Sequence, residues 1–545
     1  MPAKSRAAPW VKAPMVPDAL GYVWVAGRGV FQRVNIVRKG SRNPDPTDIL
    51  LPEGFAAEVV ATDFNEPVHA TFGHDGACYV TEAGYRIDSP PRILKVDTSS
   101  GEREVVFEIP GERWNQSGAL TGCAWHDGYL YYSYNDHIGR FRPGEPVEEI
   151  VTDLPGRGDH QLSPPTFGPD GKLYFSTGSA TNCGVVGADN IAYEWLRNPA
   201  LQDVCDSPGA DVVLTGRNYE SQDVTGKLRD KVRTGAFVPF GTQTEAGQII
   251  AGQTKCTTGV LRCDPDGSNL ELLAWGLRNA FGLQHHPDGR LFATEHGIDE
   301  RSPRFIVGDP DDFYEVTPGD LVRLPRLRLR AAAGRPALGR RRSRPGAGRR
   351  RTTRDAARAL RVLHRPRGSQ RVRLCGGRPV RFPGDAFVAC FGDAAPVTTR
   401  RIVPAGFKVV RIDMAQRKVV YFAVNRIAGG ASILPHNGFE RPVDCRFGPD
   451  GSLYVVDWAE MVPAPERGGV EIRLGTGLVW RIRRTGADHG DLPPKPLVLP
   501  VNLLRAVVPA AGVVAAAAVV RATRRSRPPR PTSPFCETRR PSCAT

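Results

Sequence analysis

Five times in 545 residues the chain repeats one phrase: FGHDGACYVTEAG from Phe72, WHDGYLYYSYND from Trp125, FGPDGKLYFSTG from Phe167, HHPDGRLFATEHG from His285 and FGPDGSLYVVDW from Phe447. Each reads as a tight Asp-Gly hairpin turn followed by a strand of alternating apolar residues, since Asp-Gly tolerates the positive φ angles of a two-residue turn. A hairpin repeated at long intervals is an array of supersecondary units. The steps from Asp75 to Asp127 and from Asp127 to Asp170, 52 and 43 residues, are those of single four-stranded propeller blades. The steps from Asp170 to Asp288 and from Asp288 to Asp450, 118 and 162 residues, require an insertion and a further blade without the phrase.

Outer hairpins supply the missing parts. They read RILKVDTSSGEREVVFE from Arg92, HIGRFRPGEPVEEIV from His137, GVLRCDPDGSNLELLAW from Gly259, FKVVRIDMAQRKVVYFA from Phe407 and LVWRIRRTG from Leu478. The third belongs to the blade opened at Asp170, so about 180–257 is an insertion in that blade. The fourth, with GDAFVACFGD from Gly384 before it, is a blade that lost its Asp-Gly. The strand FAAEVVAT from Phe55 is free to complete the last blade and close the ring. The chain is therefore expected to be all-β: a six-bladed β-propeller over 51–485 with one long insertion in the third blade, an N-terminal extension over 1–50 and an irregular tail over 486–545. A β-sandwich of the same strands would not repeat one phrase at blade spacing.

The net charge of +15 ordinarily points to a polyanionic partner. Its distribution argues otherwise. Residues 321–382 carry 21 Arg, no Lys and a single acid, Asp355, and residues 505–545 carry eight Arg and Glu537, which leaves −12 for the rest of the chain. An acidic propeller body repels nucleic acid, and no aromatic interleaves the Arg runs before Phe382 to stack on bases. Nucleic acid is thus not an expected partner. The Arg-rich stretch has no strand alternation where a propeller needs one, and its composition is that of a GC-rich coding strand read out of frame. Two compensating frame changes near 321 and 382, or a disordered basic loop, account for it. Reading the coding DNA there decides between them.

The apolar run VVPAAGVVAAAAVV from Val507 has 14 residues, short of the roughly 20 that span a bilayer, so no membrane span is expected. The first 21 residues lack the continuous apolar core of a secretory signal. Of eleven Cys, none stands in a CxxC pair, which argues against zinc. Cys78, Cys123 and Cys445 lie in strand text and are expected to be buried free thiols. Cys183, Cys205 and Cys256 in the insertion are able to include one disulfide in an oxidising compartment.

Function in a propeller resides in the loops at one mouth of the central channel. Three clusters fall there: GRGDHQLSPPTFGPDG from Gly156, with His160; AWGLRNAFGLQHHPDG from Ala274, with Arg278 and Asn279; and TEHGIDERSPR from Thr294. Together they resemble the soluble quinoprotein sugar dehydrogenases, six-bladed propellers that bind pyrroloquinoline quinone (PQQ) with calcium. The resemblance covers roughly 50–320 and 384–484. Its specific parts are GLRNAFG at Gly276, DHQ before FGPDGKLYFSTG, and the HG turn at His296. The insertion with TGAFVPFGT from Thr234 and the run DAFVACFGDAAPVT from Asp385 look like the sorbosone-type branch.

The resemblance implies oxidation of an aldose or sorbosone-type sugar, with hydride transfer to the quinone and a separate electron acceptor reoxidising it. It implies His160 as the base that takes the hydroxyl proton, a step suited to a neutral imidazole. It implies Arg278, Asn279, His296, Asp299 and Arg441 as cofactor-binding residues, and the backbone carbonyls of Gly297 and Ile298 as calcium ligands. It also suggests a periplasmic or extracellular location. Ser179 stands where glucose-oxidising members often carry an Asp that orients the base, with Asp159 as a candidate substitute. The aromatic and basic site residues of the fourth and fifth blades should fall inside 321–382, where nothing matches. Two alternatives remain at this point: a calcium-dependent lactonase, with Glu82, Glu295 and Asp457 as candidate ligands after inner strands, or a non-catalytic propeller.

Overall fold

The computed structural model describes residues 42–319 and 382–498 with short interruptions, together with the strands Met15–Pro17, Val23–Gly27, Val30–Val34 and Val372–Leu374. Its described strands form six antiparallel blades in a closed ring. Blade 1 comprises Pro67–Phe72, Cys78–Glu82, Arg92–Val96 and Arg103–Glu108, and blade 2 comprises Leu120–His126, Tyr129–Tyr134, His137–Phe141 and Glu148–Val151. Blade 3 runs Thr166–Phe167, Leu173–Ser176, Gly259–Cys263 and Glu271–Trp275; the insertion between its second and third strands folds into two small hairpin sheets. Blade 4 shows Gly282–His285, Leu291–Glu295 and Asp312–Val316. The first strand of each blade touches the first strand of the next, all the way round from blade 6 back to blade 1.

Closure works as expected. Phe55–Phe64 pairs antiparallel with Gly477–Arg484, making the N-terminal strand the outermost of blade 6 beside Pro442–Phe447 and Leu453–Asp457. The two ends of the ring are thus joined by backbone hydrogen bonds, which removes the open edges a sheet array would otherwise expose. Blade 5, the one without Asp-Gly, is built from Val372–Leu374, Ala386–Cys390, Lys408–Asp413 and Lys418–Asn425, and gains a fifth strand from Ile49–Leu50 of the N-terminal extension. Its first strand lies inside the Arg-rich stretch: Val372, Arg373 and Leu374 pair with Cys390, Ala389 and Val388. The rest of 321–381 lies outside the described residues, as do the frame-change site near 321 and the apolar run from Val507. No helix among the described residues is long and apolar enough to cross a membrane.

The repeated phrase has a physical reason that differs from the expectation in four of five cases. Only Asp127 and Gly128 both take positive φ, 47° and 78°, between the paired residues His126 and Tyr129. The other phrases, with an extra residue before Asp, close five-residue loops such as that between Phe167 and Leu173. There Gly171 N–H donates to Gly168 O at 3.0 Å, and Gly171 alone is left-handed at φ 73°. The Asp is needed for its carboxylate. Asp170 Oδ1 accepts from Lys172 N–H at 3.2 Å and Oδ2 from the Tyr174 hydroxyl at 2.7 Å, with the same pair of bonds at Asp450, Ser452 and Tyr454.

The cysteine expectations are partly overturned. Cys78 and Cys123 are buried free thiols, and burial pushes Cys78 well above the usual thiol range. Cys445, however, is disulfide-bonded. Cys183, Cys205 and Cys256 are all free, so the insertion holds together without a disulfide among them. Its apolar side chains instead pack Cys183, Val185, Phe237 and Cys256 around Trp275 of blade 3.

Candidate active site

Three blades carry the same backbone latch, and it defines the level at which the site is built. In blade 1, Asn65 N–H donates to Glu82 Oε1 at 2.6 Å; in blade 4, Arg278 N–H donates to Glu295 Oε1 at 2.8 Å; in blade 6, Glu440 N–H donates to Asp457 Oδ2 at 2.9 Å. The sequence separation is 17 in each case. One residue further on, Ala83 N–H donates to Glu66 O, His296 N–H to Asn279 O and Trp458 N–H to Arg441 O. Glu66, Asn279 and Arg441 are therefore equivalent positions, as are Ala83, His296 and Trp458. This assigns Arg441 and Trp458 to the same mouth as Asn279 and His296.

The latch also explains the acids that a lactonase reading needs. Glu82 is paired with Arg92 at 2.5 Å, and Asp457 is engaged by Glu440, Arg441, Arg42 and the Trp480 Nε1–H. Glu295 is buried beside Asp309 and Asp312, and burial above all pushes its carboxyl up to about 8, so it is protonated at neutral pH. These three acids hold their own blades together. No group of three or more His, Cys, Asp or Glu is placed to hold a metal among the described residues.

His160 lies on the loop leading into blade 3, and two glycines let it dock. A Cβ on Gly178 would come within 2.3 Å of His160 Cβ, and Gly158, at φ 110°, passes 2.6 Å from Ala180 O by the same measure. His160 Nδ1 sits 3.0 Å from Ser179 O and 3.1 Å from Ser179 Oγ. The Ser179 hydroxyl spends its proton on Thr181 O at 2.6 Å, so both Ser179 oxygens can only accept from the imidazole. Nδ1 therefore carries the proton of the neutral ring, and Nε2 is the basic nitrogen. Ser179, not Asp159, orients the ring: Asp159 Oδ2 is 3.9 Å from Nδ1 and bonds to Arg301 instead.

The blade-4 residues gather around His160. The rings of His160 and His296 are 6.4 Å apart, and Asn279 Nδ2 donates to His296 Nδ1 at 2.8 Å, leaving the buried Asn279 Oδ1 without a partner. Arg278 is only 3 % exposed, and its guanidinium is committed to protein: Nε to Asn182 O and Nη1 to Gly297 O, both 2.8 Å, and Nη2 to Asn182 Oδ1 at 2.7 Å and Asp299 Oδ2 at 3.4 Å. Arg278 therefore acts as a brace between the insertion and the Gly297 turn. That turn is tight: a Cβ on Gly297 would meet the carbonyl oxygens of Pro310 and Asp309 at 2.6 and 2.7 Å. Arg278, Glu295, Gly297, Ile298, Asp309, Pro310 and Asp312 line a small cavity here, rich in oxygen donors.

The structure thus brings together His160, Arg278, Asn279, His296, Gly297, Ile298 and Asp299. Arg441 takes its place two blades on, its guanidinium 5.0 and 5.2 Å from the ring centroids of Phe391 and Phe407. Sequence reasoning missed Asn182 and Arg301, which lie in text with no repeat to mark them. It also missed the aromatic group of Tyr85, Trp458 and Phe391, with Trp458 6.1 and 5.1 Å from the other two rings. The signal for Trp458 was present, since it stands 17 residues after Arg441 as His296 stands after Asn279.

A six-bladed propeller with a ring-oriented His, a neighbouring Arg-Asn pair and an HG turn combines the features on which the sequence resembles the soluble quinoprotein sugar dehydrogenases. The chain is similar to quinoprotein glucose dehydrogenase B of Acinetobacter calcoaceticus, 24% identical over 276 residues, which bears out the resemblance read from the sequence. The match takes in 45% of this chain and 49% of that protein, so the chain spans about half the length of the curated relative it matches. No family model matches. Solved structures similar to it include the PQQ domain of pyranose dehydrogenase from Coprinopsis cinerea, at 14% identity and TM-score 0.46 over 82% of this chain and 98% of that one. Another is the PQQ-bound aldose sugar dehydrogenase of Streptomyces coelicolor, at 17% identity and TM-score 0.42 over 79% of this chain and 100% of that one.

Proposed function

We propose that the protein is a PQQ-dependent dehydrogenase of an aldose or sorbosone-type sugar, with His160 as the base. The observation that carries this reading is the His160–Ser179 pair, which presents a basic Nε2 from a buried, preoriented ring beside His296 and Asn279. His160 accepts the proton of the sugar hydroxyl as its carbon is oxidised, and the Nδ1 bonds keep the ring from turning as charge develops. The hydride acceptor is the quinone when bound, its carbonyl polarised by calcium.

The residues fit that pair of groups. Arg441, His296 and Asn279 would hold the quinone, the Arg441 guanidinium taking its carboxylate or carbonyl oxygens and the unpartnered Asn279 Oδ1 accepting from an N–H. The backbone carbonyls of the Gly297–Ile298 turn and the Asp309 and Asp312 carboxylates would offer oxygen donors to a hard cation, with Arg278 as the competing cation on Gly297 O at 2.8 Å. A hydrolase is less well supported, because Glu82, Glu295 and Asp457 are used as blade latches. Titrating the purified protein with calcium and PQQ by absorbance, then following dye reduction with aldoses and sorbosone, tests the proposal. Sugar-dependent reduction that needs both additions supports it; a folded protein that binds no quinone overturns it.

A further inference from the structure

Arg301, to which neither the sequence motifs nor the reaction gives a role, is the centre of a largely buried ionic cluster. Its three nitrogens reach three different carboxylates: Nη2 bonds to Asp159, Nη1 to Asp189 Oδ2 at 2.9 Å and Nε to Asp299 Oδ2 at 3.2 Å. Each carboxylate belongs to a different piece of the site. Asp159 precedes His160, Asp189 lies in the short 3-10 turn Ala188–Tyr193 of the insertion, and Asp299 follows the Gly297 turn. Arg278 adds a second positive charge, 3.8 Å from Asp159 and 3.4 Å from Asp299.

All three carboxylates are nearly or wholly enclosed, and Oδ1 of each is buried with no hydrogen-bond partner. Buried ion pairs are poor sources of net stability, because desolvation offsets their attraction, whereas removing one partner leaves an uncompensated charge. What a planar three-pronged cation does supply here is geometry: it fixes the mutual placement of three loops that no strand ladder connects.

We propose that Arg301 is a positioning residue, locking the His160 loop and the insertion onto the Asp299 turn so that the His160 ring meets its substrate in register. Its catalytic meaning rests on the proposed function; the locking itself does not. Arg301→Met in the full chain is expected to raise amide hydrogen exchange at least tenfold in peptides covering 156–162 and 182–193, with blades 1 and 6 unchanged. In the calcium- and quinone-loaded enzyme, kcat falls about 100-fold while KM for sugar stays within about threefold, as for a misplaced catalytic group.

Arg301→Lys, a point charge that cannot reach three carboxylates, folds and gives the same pattern at smaller amplitude. If Arg301→Met does not fold, the Lys variant decides alone. Unchanged exchange in both peptides overturns the proposal, and so does an equal rise in every blade. Local loosening in a protein whose wild type turns over no sugar would sink the dehydrogenase reading and leave the lock standing.

Discussion

Ser179 accepts two hydrogen bonds from one nitrogen of His160, through its carbonyl at 3.0 Å and its hydroxyl at 3.1 Å, and supplies no charge to the ring. The carboxylate nearest His160 Nδ1, that of Asp159 at 3.9 Å, is already neutralised by Arg301. Ser179→Asp is expected to put a carboxylate against Nδ1 and favour the charged ring by about one to three pK units. The acid limb of the kcat/KM–pH profile then moves up by that amount, so the loss of rate is greatest at low pH and fades as pH rises. Ser179→Ala keeps the carbonyl bond and costs about tenfold or less at all pH values. An unmoved acid limb in Ser179→Asp would count against His160 as the titrating base.

Arg278 and His160 should separate cleanly on mutation. His160→Ala removes turnover and leaves quinone affinity within about threefold. Arg278→Ala leaves Asn182, Gly297 and Asp299 without their shared donor and weakens quinone and calcium binding together. Equal loss of binding in both variants, read by absorbance titration, would contradict these roles.

Glu295 makes stability depend on pH in a definite direction. Its carboxyl is pushed up from 4.5 to about 8 in the folded protein. Its contribution is therefore fully present below about pH 4.5, falls as pH rises and is lost by about pH 8, because the unfolded chain releases the proton first. Glu295→Gln cannot ionise, so its melting temperature relative to wild type should climb steadily between pH 5 and 8 and then level off. A constant offset across that range in scanning calorimetry would show that Glu295 is not held protonated.

Asp457 ties the N-terminal extension to the closing blade. Asp457→Ala strands the Arg42 guanidinium, 5 % exposed, and unbonds the Trp480 indole, at an expected cost of about 3 to 5 kcal/mol in unfolding experiments. Adding Arg42→Met should recover part of that loss. An equal effect of Arg42→Met in the wild-type and Asp457→Ala backgrounds would show that the pair is not coupled.

Much of this was legible in the sequence because propellers repeat. The Asp-Gly phrases located five blades with their inner strands, the outer hairpins located the insertion, and the strand from Phe55 was placed correctly in the closure with Gly477–Arg484. The turn type was misread at four phrases because hairpin length depends on one residue before Asp, which the Asp-Gly pair does not reveal. His160, Arg278 and Asn279 stood out by motif, but their bonding did not: whether a guanidinium faces a ligand or braces a loop depends on residues far away in the chain, such as Asn182 and Asp299. Asp159 looked like the partner of His160 because it is adjacent, yet adjacent side chains point apart and its true partner is 142 residues on. The latch acids Glu82, Glu295 and Asp457 looked like ligands because carboxylates at strand ends serve either role.

The most direct test of the central claim is stopped-flow absorbance of the calcium- and quinone-loaded protein mixed with sugar, wild type against His160→Ala. Wild type should show a rapid sugar-dependent change in the quinone spectrum, and His160→Ala a rate at least 100-fold lower at equal quinone occupancy. Equal rates in the two proteins would contradict it.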